Sequence, residues 1–293
     1  MGWLFFFIFL GLCILVALWF EKSKKKDYEI LHKTEAPDFA SSNTTIHTTK
    51  YRYSPSEIFK AEHISYSRIK LYIQCPRKFE LIYLQGYEEE IGRAAKLGNI
   101  VHEMLREYML RKVGYESEPI DDRSRDQIMS SFNTAKESLS IDYLINTRDV
   151  APYIDNFVMM NINSDIEKIL YLEEEFESMI QRYKVKCVPD RIEKTNNNKL
   201  RIVDYKTGKK EYVDKKQLEM YGLIMSEFEG TNIELEFQFL KTGERMRWAY
   251  SDILGRNVFT WVMNYIKEIE SSNYFPQKRA VLCNYCGVSQ YCY

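Results

Sequence analysis

The chain has 293 residues, of which 45% are hydrophobic and 28% charged, and its formal net charge is −1 at pH 7. A near-neutral charge is not the strongly basic signature of many nucleic-acid binders, so phosphate binding would require a local excess of positive charge. The sequence shows no internal repeat and no low-complexity run, and the residues from about Glu62 onwards suffice for one domain with a buried core.

The first predicted element is an apolar segment, Trp3 to Phe20, which contains eighteen residues without a charge. A helix of this length at ~1.5 Å per residue would be about 27 Å long, close to the ~30 Å hydrocarbon core of a bilayer. We predict a single membrane span, because no Lys or Arg precedes the run and its bulky end does not suit a cleaved signal peptide, the alternative. Four lysines between Lys22 and Lys26 follow, and unless they are only a solvated flank, they place the rest of the chain in the cytoplasm.

Residues 1–26 are thus predicted to be a transmembrane anchor with a basic flank. Residues 27–61 are mostly polar and are predicted to be a tether, which leaves residues 62–293 as one domain. Within that domain, the spacing of apolar residues predicts the helices Ser67–Gly86 and Ala94–Lys112 and a helical block over Asp122–Leu172.

Two polar features lie beside these elements. His102 is near the apolar stripe of the second helix, where an isolated histidine is more often a core residue than a ligand. Glu173, Glu174 and Glu175 precede a predicted strand, Phe176–Ile180. One of these acids could assist a second metal ion, although a solvated strand entry is the favoured interpretation.

A β-hairpin carries the most informative residues. Two strands, Lys184–Glu193 and Lys199–Tyr205, are predicted on either side of a tight asparagine turn. Because side chains alternate along a strand, Asp204 and Lys206 point to the same face, and the hairpin can bring Asp190 close to both.

Two carboxylates and a lysine can make a metal-dependent phosphodiesterase. The carboxylates suit Mg²⁺ or Mn²⁺, which would lower the pKa of a bound water, and the lysine can orient or help deprotonate that water. The alternative for the bare Asp-x-Lys triplet is an exposed hairpin with incidental charges.

The charge around the hairpin is locally basic. From Arg182 to Lys210 there are ten Lys or Arg residues against three acids, which suits contact with phosphates. The alternative is a charged sheet edge that discourages aggregation.

A helix is predicted over Asp214–Phe228, and it places Gln217 and Tyr221 on one face because they are four residues apart. Tyr221 could instead be a packing residue. The remaining predicted elements are the strands Ile233–Lys241 and Arg245–Tyr250 and a last helix, Asp252–Ser271.

Four cysteines form a second candidate site. Cys283, Cys286 and Cys292 lie at the C-terminus in the spacing Cys-x2-Cys-x5-Cys, and Cys75 is available as a fourth ligand. Four thiolates suit either a zinc ion or an iron-sulfur cluster, and the spacing does not separate the two. Free thiols or a disulfide pair are the remaining alternative.

The order His102, Asp190, Asp204-Tyr205-Lys206 and Gln217-x3-Tyr221 resembles the RecB-like branch of the PD-(D/E)XK nuclease superfamily. The resemblance implies an α/β fold with a restriction-endonuclease-like core, in which helices flank a central mixed sheet. It also implies a divalent metal held by the histidine, both aspartates and the Tyr205 backbone carbonyl, with Lys206 as the catalytic lysine and Gln217 and Tyr221 as DNA-positioning residues. One departure is Cys187, where the family often has glycine, which concerns local turn geometry.

The segment from Ser65 to Phe79, which contains Cys75, resembles the opening segment of AddB-type and CRISPR-adaptation nucleases. In those relatives this cysteine joins a C-terminal trio around a 4Fe-4S cluster. The resemblance therefore implies a cluster on the four cysteines named above, which would connect the two ends of the domain.

Together these features predict a membrane-tethered, cytoplasm-facing, Mg²⁺- or Mn²⁺-dependent DNA nuclease. We expect an exonuclease directed to single strands or ends, in repair, recombination or defence. The alternatives are a catalytically silent DNA-binding or assembly platform at the membrane and a restriction-type endonuclease. The sequence contains no Gly-x4-Gly-Lys-Ser/Thr motif, so unwinding would require a helicase or other recombination or CRISPR-adaptation partner.

Overall fold

Seven strands of the described chain form two sheets. The computed structural model describes residues 52–111, 120–141 and 144–292, which lie within one compact unit, Thr49–Tyr293. The strands are β1 Ile166–Leu172, β2 Phe176–Ile180, β3 Tyr183–Cys187, β4 Arg191–Thr195, β5 Leu200–Lys206, β6 Ile233–Phe239 and β7 Glu244–Ala249.

The larger sheet is mixed and has the strand order β1-β4-β5-β6-β7. Its β5–β6 pair is parallel, because α8 crosses over between these strands, and its other pairs are antiparallel. The strands β2 and β3 form a separate antiparallel hairpin. The described helices are α1 Ile58–Ala61, α2 Tyr66–Gln74, α3 Pro76–Phe79, α4 Arg93–Leu110, α5 Ser124–Met129, α6 Phe132–Ser138, α7 Thr147–Asn161, α8 Lys216–Glu229 and α9 Asp252–Ser271.

Helices cover both faces of the mixed sheet, and β5 contributes to the core on each side. Ile202 packs into a core that includes residues of α2, α8 and α9. Val203 and Tyr205 pack into a second core with residues of α4 and α7. Alternation along β5 therefore directs Asp204 and Lys206 to the α8 side and Tyr205 to the α4 side. This confirms the predicted α/β fold with a central mixed sheet and flanking helices.

Local signals account for several helix boundaries. The side chain of Ser251 accepts a hydrogen bond from the Leu254 N–H, which defines the start of α9 where the sequence predicts it. Asn146 and Asp149 form a reciprocal capping box at the start of α7.

Three predicted elements differ from the structure. The first predicted helix is interrupted at Cys75, before Pro76, and continues through α3 and a π-helical turn, Glu80–Leu84. The predicted helical block ends in a strand, β1. The predicted strand Lys184–Glu193 is two strands, β3 and β4, which are separated at Val188-Pro189-Asp190 and belong to different sheets.

The predicted membrane location requires correction. Among residues 52–111, 120–141 and 144–292, no helix is long and apolar enough to cross a membrane. We therefore withdraw the prediction of a single-pass protein. The apolar run Trp3–Phe20 and the lysines after it lie outside the described residues.

The predicted tether overlaps the folded unit at its end. Ile58 and Phe59 are buried in the core that contains α8 and α9. The domain boundaries stay predictions, but the folded residues begin ahead of residue 62.

Candidate active site

The first half of the site joins α4 to the start of β4. The Nδ1 atom of His102 lies 3.2 Å from Oδ1 of Asp190. The second carboxylate oxygen of Asp190 accepts a hydrogen bond of 2.5 Å from the Tyr205 backbone N–H. The break at Pro189 ends β3 and leaves Asp190 at the point where β4 begins, beside the end of β5. The structure thus brings together a histidine and an aspartate that are 88 residues apart in sequence.

The second half of the site joins β5 to α8. The Nζ atom of Lys206 lies 2.5 Å from Oδ2 of Asp204 and donates a 2.7 Å hydrogen bond to Oε1 of Gln217. The Gln217 amide nitrogen donates to Oδ1 of Asp204 at 2.6 Å and to the Tyr221 hydroxyl at 3.2 Å. Gln217 therefore contacts both candidate reactive groups and fixes their relative position, and Tyr221 supports Gln217.

Glu173 also belongs to the site, although the sequence favoured a solvated residue at the entry to a strand. One ligand atom from each of His102, Glu173 and Asp190 lies within 4.8 Å of the others. The Glu173 backbone has a φ of 47°, which is unusual for a residue with a side chain, and its N–H donates to the Asp190 carbonyl. The run of three glutamates before a strand was the only sequence signal for this residue.

Electrostatics differ between the four titratable groups of the site. Burial acts to lower the pKa of His102, but Asp190, Asp204 and Glu173 outweigh it and raise that pKa to about 9. Burial raises the pKa of Asp204 to about 6, with a contribution from Asp190. Burial and the Asp190 charge raise the pKa of Glu173 to about 7. Burial opposes ionisation of Asp190, yet His102, the Tyr205 N–H and Lys206 hold its pKa below the usual value. The raised pKa values of Asp204 and Glu173 thus reflect carboxyl groups that are buried close to Asp190, where a cation would favour their ionised forms.

The donor set fits a hard divalent cation. It offers carboxylate oxygens and an imidazole nitrogen, and Asp204 is buried with the Lys206 ammonium group against its Oδ2 atom. A cavity of about 440 Å³ opens on His102, Glu173 and Asp190. Gly98 also lines this cavity, and a Cβ atom there would lie 3.0 Å from Oγ1 of Thr207, so the glycine permits α4 to approach the loop after β5.

The four predicted cluster cysteines are free thiols on neighbouring segments. Burial raises the pKa of the Cys292 thiol, and Cys75, Cys286 and Cys283 add to this effect as neighbours. The C-terminal segment is held to the flank of Cys75 by Arg77, which donates to the Tyr291 carbonyl, and by Lys278, which donates to the Ile73 carbonyl at 2.7 Å. Among the described residues, no three cysteine sulfurs all lie within 4.8 Å of one another.

The predicted basic patch is largely neutralised by ion pairs. Nine of the ten basic residues between Arg182 and Lys210 have a carboxylate within 4.0 Å, often from a distant part of the sequence. Arg191 and Arg201 are buried beneath the sheet surface. The local excess of charge in the sequence therefore overstates the charge that is free to bind phosphate.

Comparison with known proteins identifies a family. The profile of the PD-(D/E)XK nuclease superfamily matches residues 63–293, more than three quarters of the chain. A putative exonuclease from Eubacterium rectale is 12% identical in sequence, with 83% of this chain and 93% of that chain covered and a TM-score of 0.41. The protein SSO0001 is 14% identical, with 77% of this chain and 94% of that chain covered and a TM-score of 0.32. No curated protein matches the sequence.

Proposed function

Because the chain belongs to the PD-(D/E)XK nuclease superfamily, we propose that it is a metal-dependent deoxyribonuclease whose active site is the cluster around Asp190, Asp204 and Lys206. The observation that carries this proposal is the meeting of His102 and Asp190 with the Asp204–Lys206 pair at the end of β5. A binding platform would need neither the carboxylates nor the lysine in this arrangement.

His102, Asp190 and Asp204 would hold the metal, with the Tyr205 backbone carbonyl as a further ligand and Glu173 as an additional carboxylate. A bound Mg²⁺ or Mn²⁺ would neutralise charge on the phosphate and lower the pKa of a coordinated water. For His102 to bind, the ring nitrogen that faces the metal must be unprotonated, so metal binding would compete with the imidazolium form of His102 that Asp190 favours.

Lys206 is the proposed catalytic lysine. Its ammonium group is held between Asp204 and Gln217, close to where the phosphate would lie. From there it can orient the attacking water and stabilise the negative charge that develops on the phosphate oxygens. Gln217 and Tyr221 position this ammonium group. We also propose that these two residues contact the DNA substrate.

The cysteines are proposed to hold a 4Fe-4S cluster, with zinc as the alternative. The proposal is supported by the hydrogen bonds that hold the C-terminal segment to the chain around Cys75, from Arg77 to the Tyr291 carbonyl and from Lys278 to the Ile73 carbonyl. The role of the cluster would be structural, because it would connect the segment after α2 to the C-terminus.

The proposed activity is exonucleolytic, and linear and circular substrates test it. End-labelled linear and covalently circular single-stranded DNA should be incubated with the purified protein in Mg²⁺, Mn²⁺ or EDTA. We expect linear DNA to be degraded with either metal, circles to persist and EDTA to stop the reaction. Cleavage of circular DNA would show that the protein is an endonuclease and not an exonuclease. Absence of cleavage under every condition would favour the silent platform.

A further inference from the structure

A buried arginine that the proposed chemistry does not use follows Asp190 directly. Arg191 is the first residue of β4 and is fully buried, as is Glu193 two residues later. The Nε atom of Arg191 lies 2.7 Å from Oε2 of Glu193, and its Nη2 group donates a 3.0 Å hydrogen bond to Oδ1 of Asn161 on α7. Because a buried charge is costly unless it is paired and hydrogen-bonded, these partners hold the guanidinium group in one place.

Strand pairing places this guanidinium group against the ring of Tyr205. Arg191 lies opposite Val203 in the antiparallel β4–β5 pair, so the two side chains share one face of the sheet. Tyr205 is two residues further along β5, and it is therefore the diagonal neighbour of Arg191 on that face. The guanidinium carbon lies 5.6 Å from the centre of the Tyr205 ring, which is within the range of a cation–π interaction.

Tyr205 in turn contacts two proposed metal ligands. The centre of its ring lies 5.9 Å from the centre of the His102 ring, and the 70° angle between the two planes makes this an edge-to-face contact. The backbone N–H of Tyr205 donates a hydrogen bond to Asp190. Tyr205 therefore connects the fixed guanidinium group of Arg191 to both His102 and Asp190.

A second buried arginine shares the environment of Arg191 but not its position. Arg201 is 3% exposed, and its Nη1 group donates a 2.8 Å hydrogen bond to Oε1 of Glu193. It lies on β5 four residues before Tyr205, about 13 Å away along the strand. Both arginines thus pair with the same buried carboxylate, and of the two it is Arg191 that lies against the Tyr205 ring.

We propose that Arg191 is a positioning residue for the metal site and acts through Tyr205. By holding the Tyr205 ring, it keeps the His102 nitrogen and the Asp190 carboxylate at the spacing that a divalent cation needs. Residues that orient metal ligands from behind contribute about 10- to 100-fold to metal affinity. This inference rests on the proposed metal-dependent function and deepens it, because it adds a residue outside the ligand set.

Binding of Mn²⁺ measured without DNA tests this role. Arg191→Lys keeps a positive charge but loses the planar guanidinium group, and Arg201→Lys makes the same change on the other side of Glu193. Titration followed by Mn²⁺ electron paramagnetic resonance should show affinity about 10- to 100-fold weaker than wild type for Arg191→Lys. Arg201→Lys should keep wild-type affinity. Urea unfolding should show a loss of stability in both variants, since each disturbs a pair with Glu193, so lost stability alone does not predict the difference in affinity.

A double substitution tests the route through Tyr205. Tyr205→Leu removes the ring and should also weaken Mn²⁺ binding about 10- to 100-fold. Because Arg191 acts through that ring, adding Arg191→Lys to Tyr205→Leu should cause little further loss of affinity. Losses that multiply in the double variant would show that the two residues act independently, which contradicts the proposal.

The outcomes separate this role from the nuclease function. Equal Mn²⁺ affinities for Arg191→Lys and Arg201→Lys would overturn the positioning role, even if the protein cleaves DNA. If Arg191→Lys does not fold, Asn161→Ala removes one hydrogen bond of Arg191 instead, and unchanged Mn²⁺ affinity in that variant would also overturn the role. A wild-type protein whose Mn²⁺ binding depends on Arg191 but that never cleaves DNA would retain the positioning role and contradict the nuclease function.

Discussion

Single side chains at the site hold one another in position. Gln217 bonds to Asp204 and Lys206 at once, and Asp190 is fixed between His102 and a backbone N–H. Pre-positioned groups of this kind lower the cost of reaching the reactive arrangement. The proposed metal site therefore depends on a few close contacts that single substitutions can test.

Glu173→Gln tests whether this residue is a metal ligand. Its carboxylate lies with ligand atoms of His102 and Asp190, so its neutralisation should weaken Mn²⁺ binding about 10- to 100-fold. Glu174→Gln is the matched control, because Glu174 is an exposed neighbour outside this group. Titration followed by Mn²⁺ electron paramagnetic resonance measures the difference. Equal Mn²⁺ affinities in the two variants would show that Glu173 is not a metal ligand.

At the scale of elements, α8 and α9 approach each other closely around one ring. A Cβ atom on Gly222 of α8 would lie 2.6 Å from the Tyr250 ring, and one on Gly255 of α9 would lie 2.2 Å from the Tyr250 hydroxyl. The two glycines therefore permit the packing that places α8, and with it Gln217, over the end of β5.

Gly255→Ala is expected to destabilise the protein by about 1–3 kcal/mol through overpacking against the Tyr250 hydroxyl. Urea unfolding of the variant measures this loss. In a Tyr250→Phe background the hydroxyl is absent, so the same substitution should cost less. An equal cost in both backgrounds would show that the contact with the hydroxyl is not the cause.

Strand alternation made part of the site predictable from sequence. The period of two along β5 places Asp204 and Lys206 together, and the capping serine before α9 marks that helix. The strand β1 was not predicted, because its apolar residues Ile166, Ile169 and Leu170 have the i, i+3, i+4 spacing of a helix. The pairing of β1 with β4 contains register shifts, which interrupt the simple alternation expected of a strand.

Ion pairs between distant segments explain the other errors. Lys194 pairs with Glu167, Lys199 with Glu234 and Lys210 with Glu244, so a local count of charges overstates the charge that is free to bind phosphate. The place of Glu173 likewise depends on a positive φ and a hydrogen bond to Asp190.

For the whole molecule, the cysteines would connect the beginning and the end of the domain. Cys75 follows α2, whereas Cys283, Cys286 and Cys292 lie in the segment after α9. A group bound by all four restricts the unfolded chain over about two hundred residues and so favours the folded state.

Cys286→Ser tests this connection. In protein purified without oxygen, the variant should lose the brown iron-sulfur absorption and melt about 2–4 °C lower for each kcal/mol of stability that is lost. Cys187→Ser is the control, because Cys187 is a buried strand residue whose thiol pKa burial raises to about 12, and the absorption should persist. A colourless wild-type protein that contains zinc would contradict the cluster.

The most direct test of the proposed active site compares wild type with Lys206→Ala in the hydrolysis of linear single-stranded DNA with Mn²⁺. We expect wild type to cleave. The variant should keep the circular dichroism spectrum and the Mn²⁺ affinity of wild type, and its rate should be at least about 100-fold lower. Cleavage by the variant at the wild-type rate would contradict the assignment of this cluster as the active site.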